Sequence, residues 1–138
     1  MKNAIMQATH DFCTYILDIP IHRGKHYGDK FYGAAIALHE NDAEHMWYLF
    51  FKKDTLNIIA KNLLCEDCLS EDDLDDLLKE ISNQIIGSAK VILEANNPHN
   101  QYRLSVPEFM GHVPSPFPIT LQESIVYKIK NRTFVIGR

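Results

Sequence analysis

From Leu74 to Leu93 apolar side chains return every three or four residues, a period that predicts one long helix. At about 100° per residue, Leu74, Leu77, Leu78, Ile81, Ile85, Ser88 and Ile92 fall on one broad stripe, the expected core face. Glu80, Asn83, Gly87, Lys90 and Glu94 fall on the opposite side. Ile86 and Leu93 lie on the flank between the two faces, as a second packing edge or an exposed apolar docking strip. Ser70 is placed to cap the helix, and Glu71, Asp72 and Asp73 occupy its first turn against the positive end of the dipole. That accounts for the acidic run better than a calcium site, because the spaced ligands and glycine of an EF-hand loop are missing. Pro98 bounds the far end.

The same reading places the other elements. Ile5, Ala8, Phe12, Tyr15 and Ile16 stand at helical spacing, which predicts an N-terminal helix packed by that stripe. Ile21 to Lys30, with two glycines and mixed charge, reads as an exposed loop. "FYGAAIALH" and "EHMWYLFFKK", rich in aromatic and aliphatic residues and separated by the turn-like "ENDA", predict a β-hairpin. "DTLNIIAKNLL" follows as a helix with Asp54 as N-cap and Leu56, Ile59, Ala60 and Leu63 on one face. "QYRLSVPEFMG", "FPITLQESIVYKIK" and "RTFVIGR" alternate apolar and polar residues around proline and glycine breaks, for three further strands. The sum is one α+β domain, long helices layered on a largely antiparallel sheet.

Composition narrows the function. With 138 residues and 46% hydrophobic content the chain is about one domain long and has enough apolar material for a core. A net charge of −4 without a long basic run gives no electrostatic footprint for nucleic acid and no polybasic membrane patch. The apolar run Met46–Phe51 is far short of a membrane span, and the start lacks the layout of a signal peptide. Three cysteines, an odd number, fit a reducing compartment, so a cytoplasmic protein is expected. "CEDC", Cys65 to Cys68, has a spacing suited to zinc or redox chemistry, but no second pair stands at ligand spacing. His22 and His26 are four apart in a glycine-containing loop, where no helical face is shared.

The candidate chemistry therefore sits on the wet face of the long helix. Glu80 and Asn83 present a carboxylate and an amide one turn apart, close enough to act on one target. A glycine in a helix interior costs on the order of 1 kcal/mol relative to alanine. Solvent alone gives no reason for Gly87; close approach of another backbone does.

"EISNQIIGSAK", with Glu80, Asn83, Gly87, Ala89 and Lys90, resembles the motif of the CheC/CheX/FliY group of chemotaxis phosphatases. There a glutamate is followed three residues on by asparagine, then four on by glycine, often with Ala-Lys after it. The hairpin-then-helix layout from Phe31 to Leu64 and "LSVPEFMG", with Pro107 and Gly111, resemble the CheX arrangement over most of the chain. Nothing before Phe31 adds to the likeness. One motif copy rather than two sets the chain nearer CheX than CheC. The bare pattern also occurs at Glu94 to Asn97, where Pro98 and the missing glycine mark a helix end.

The resemblance implies a single CheX-like phosphatase domain over residues 1–138 that hydrolyses the aspartyl phosphate of a phosphorylated CheY-like response regulator. Asn83 would orient the attacking water and Glu80 would pair with a receiver lysine, the two forming the catalytic pair. Gly87, Lys90 and Ile86 would serve binding. Mg²⁺ would belong to the receiver, leaving this chain without a metal or cofactor of its own. A homodimer joined through the sheet is also implied. The rival readings are a non-catalytic receiver-binding or flagellar-switch module, and an unrelated interaction domain.

Overall fold

A computed structural model describes residues 1–25, 30–65, 69–113 and 121–138. Helix α1 (Lys2–Asp11) runs into a π-helical segment (Phe12–Leu17), followed by the two-residue strand β1 (His22–Arg23). Strands β2 (Phe31–Glu40) and β3 (Ala43–Lys52) form the hairpin, and α2 (Lys53–Leu64) and α3 (Glu71–Asn96) follow. Strands β4 (Tyr102–Leu104), β5 (Glu108–Val113), β6 (Ser124–Ile129) and β7 (Arg132–Gly137) end the chain. The sheet is antiparallel throughout, ordered β1-β6-β7-β3-β2-β4, with β5 also paired to β2.

The hairpin pairs from Phe31↔Lys52 to Glu40↔Ala43, which leaves a two-residue turn at Asn41 and Asp42. Asn41 adopts a left-handed conformation there (φ 53°), which its short polar side chain tolerates. Alternate residues of the central strands, among them Ala34, Ile36, Leu38, Leu49 and Phe51, join α1, α2 and α3 in the main core. A smaller cluster, Phe31, Phe50, Val113, Val126 and Val135, forms a second buried group.

Helix α3 is the longest element, 26 residues and so about 39 Å at 1.5 Å per residue. Ser70 caps it as expected: its side chain accepts from the Asp73 backbone N–H, and the Asp73 carboxylate accepts from the Ser70 N–H. The Tyr32 hydroxyl donates to Glu71 Oε1 at 2.8 Å, tying the first turn to β2.

Four expectations change. The N-terminal stripe breaks in the π segment: Tyr15 and Ile16 are exposed, while Cys13 and Leu17 are buried. Bonding from i to i+5 widens the turn and moves the buried face by a residue. Asp54 is not the N-cap of α2; Lys52 holds that position and Asp54 sits in the first turn, 3.6 Å from Arg132. The loop at residues 21–30 contains β1, paired to β6, while residues 26–29 lie outside the described part. "QYRLSVPEFMG" forms two strands rather than one, because β2 changes partner along its length. Ser105 fills the change-over: the Ala37 N–H donates to Ser105 Oγ (2.9 Å) and Ser105 N–H to the Ala37 carbonyl (3.0 Å). Gly111, at φ 72°, lies where the β2–β5 register shifts and takes a conformation that a side chain would strain.

Cys13 gives the fold a pH signature. Burial pushes its thiol up to about 12. The unfolded thiol ionises first, at about pH 8.5, so the native state binds the extra proton and stability falls as pH rises between those values, by at most about 1.4 kcal/mol per unit. Burial also raises the Tyr127 phenol, which acts in the same direction at higher pH. Denaturant unfolding from pH 8 to 10.5 should therefore show a steeper loss for the wild type than for Cys13→Ala. Parallel slopes would contradict this.

Candidate functional site

The site is built on α3, a capped helix fixed by its opposite face. Leu74, Leu77, Leu78, Ile81, Ser82, Ile85, Ile86, Ala89 and Leu93 are buried. The first half follows the predicted stripe, but further along Ser88 is exposed and Ala89 buried. The buried arc turns because β4 lies beside the helix: Leu104 Cδ2 is 3.7 Å from where a Cβ on Gly87 would stand. The same turn decides the flank. Ile86 is fully buried in the main core and Leu93 nearly so. They are the packing edge, and Ile86 offers no surface for docking.

Glu80, Asn83 and Gly87 come together as predicted. With Gln84, Ser88 and Val91 they line a shallow depression of about 310 Å³. Asn83 is exposed, and its amide makes no hydrogen bond among the described residues. Glu80 is also exposed, and its Oε1 accepts from Gln84 Nε2 at 3.0 Å. On its other side Glu80 borders a second depression of about 240 Å³ with Leu63, Leu64, Asp73, Asp76 and Leu77. Glu80 thus borders both depressions.

Lys90 stands apart from the depression: its ammonium is bound to Glu94 Oε1 at 3.2 Å. Sequence reasoning missed Gln84, Ser88 and Val91. Val91 is 63% exposed, and the helical spacing Asn83, Gly87, Val91 already placed it on the polar face.

Among the described residues, no three His, Cys, Asp or Glu side chains stand close enough to hold a metal ion. Cys65 is exposed in a left-handed conformation at the end of α2, and Cys68 lies outside the described residues. No helix among those residues is long and apolar enough to cross a membrane.

The family model for the chemotaxis phosphatase CheX matches residues 32–127, a span that takes in the hairpin, α3 and the Glu80–Asn83–Gly87 face. The chain belongs to the CheX family. Solved CheX structures share its fold. CheX from Vibrio vulnificus superposes with a TM-score of 0.81 at 15% identity, covering 98% of this chain and 92% of that one. CheX in a CheX–CheY–BeF3–Mg²⁺ complex from Borrelia burgdorferi gives 0.72 at 14% identity, with 99% and 94% covered. A CheC-like protein from Shewanella oneidensis gives 0.71 at 16% identity, with 98% and 94% covered. No curated protein matches the chain in sequence.

Proposed function

We propose that this chain, like the phosphatases its CheX family is named for, hydrolyses the aspartyl phosphate of a CheY-like response regulator, with Asn83 and Glu80 of α3 docked at the receiver's active site. The observation that carries the reading is an exposed Asn83 amide, without a hydrogen bond among the described residues, on a capped and packed helix, one turn from a carboxylate and beside a glycine. An acyl phosphate is hydrolysed by in-line attack of water, and such transfers are accelerated mainly by positioning and electrostatics. An amide is too weak a base to take a proton at neutral pH, but its carbonyl and NH2 can hold a water in one orientation. Glu80 would be repelled by the phosphoryl group and attracted by a receiver lysine, which gives it docking and register. Mg²⁺ would be supplied by the receiver; the chain in the Borrelia burgdorferi complex is a relative crystallised with CheY, BeF3 and Mg²⁺.

Titration calorimetry against a CheY-like receiver tests the docking. Receiver loaded with Mg²⁺ and beryllofluoride, a phosphoryl analogue, should bind more tightly than unloaded receiver. Binding indifferent to loading would contradict recognition of the phosphorylated state.

Gly87 gives a separate test. Among the described residues a Cβ there meets only Leu104, at ordinary contact distance, so Gly87→Ala should stabilise the helix by several tenths of a kcal/mol up to about 1 kcal/mol. If the glycine makes room for receiver backbone, the same methyl weakens binding or dephosphorylation while the melting temperature rises. A more stable protein with unchanged activity would make the glycine incidental.

A further inference from the structure

We infer that Gln84 is a positioning residue that holds the Glu80 carboxylate ready for a cationic group of the partner without neutralising it. The inference rests on the reading of Glu80 as a docking contact and adds the device that prepares it.

The other i,i+4 contacts made by α3 carboxylates show what is special about this one. Asp75 is paired with Lys79 at 2.9 Å and Glu94 with Lys90 at 3.2 Å, so both charges are already compensated within the helix. Glu80 has a neutral amide at i+4 instead, whose Nε2 donates to Oε1 at 3.0 Å. A carboxylate has two oxygens and about four lone-pair directions. One direction is used by Gln84, and among the described residues the Glu80 charge has no ion-pair partner and its second oxygen no hydrogen bond. Asp76, one turn before Glu80 and bordering the same depression, disfavours a carboxylate turned towards it and favours one turned towards Gln84. Gln84 itself lines the depression with Asn83, so the bond lies at the edge where a partner would enter.

The gain is pre-organisation. Fixing a flexible, exposed side chain on association costs roughly 0.5–1.5 kcal/mol, and a glutamate already held in one orientation avoids part of that cost. A lysine at position 84 would hold it equally well but would compete with the incoming cation.

The test measures Kd for beryllofluoride-loaded, Mg²⁺-bound receiver, alongside thermal melts. Gln84→Ala should weaken binding about fivefold, with the melting temperature near that of the wild type. Gln84→Lys should weaken binding more, although the ammonium it introduces pairs with Glu80 and so keeps or raises the melting temperature. In a Glu80→Gln background, Gln84→Ala should have no further effect on Kd. Wild-type Kd in Gln84→Ala overturns the inference, as does a Gln84→Ala effect that persists undiminished in the Glu80→Gln background, which would make Gln84 an independent contact. A wild-type chain that binds no receiver overturns the docking reading and this inference with it. One that binds without speeding phosphate loss overturns the catalytic reading alone, and Kd still decides the role of Gln84.

Discussion

Asn83→Ala should lower the rate of receiver dephosphorylation by about a hundredfold, the scale of losing one preorganised hydrogen-bonding group at a reacting centre. The fold should be unaffected, because the Asn83 amide makes no hydrogen bond among the described residues and its position is exposed. Alanine is also the better helix former, so the melting temperature should hold or rise slightly. Affinity for beryllofluoride-loaded receiver should stay near wild type, since a water-orienting group acts chiefly in the transition state. Single-turnover decay of receiver phosphate at saturating protein checks this, and a variant within twofold of wild type would remove Asn83 from the role.

Glu80→Lys should weaken the complex by at least about tenfold and lower turnover with it. It replaces attraction for a receiver cation by repulsion, and like charges juxtaposed at an interface cost several kcal/mol. The only described hydrogen bond of the Glu80 side chain is the one from Gln84, so the protein should remain folded. Lower turnover with intact affinity would exchange the roles, making Glu80 a participant in the chemistry rather than in docking.

How far the chain could be read in advance follows from where each signal resides. The cap of α3 was legible because Ser70 and Asp73 make a local reciprocal contact, and the hairpin because its aromatic and aliphatic runs flank a short turn. The polar face was legible for the same reason: helical phase alone sets Glu80, Asn83 and Gly87 together. Features that depend on distant parts of the chain were not. The burial of Ile86 in place of a docking strip follows from β4 lying beside α3, and β4 is separate from β5 because Ser105 bonds to Ala37, 68 residues away. The π segment at Phe12–Leu17 moves Tyr15 and Ile16 into solvent, which an ideal 3.6-residue period cannot express. Lys90 had the right phase for the site, but its bond to Glu94 holds the ammonium elsewhere. Gln84 was visible as a residue beside the motif; its significance needed the bond to Glu80.

On the proposed function, the α3 face accelerates loss of an aspartyl phosphate from a receiver domain. The most direct measurement follows a CheY-like receiver, phosphorylated and in Mg²⁺, with and without a substoichiometric amount of this protein. The phosphate should disappear faster with the protein, over many turnovers per molecule, and Asn83→Ala should abolish most of the acceleration. Decay at the receiver's own rate, by a protein that nonetheless binds the loaded receiver, would contradict it and make the chain a receiver-binding module.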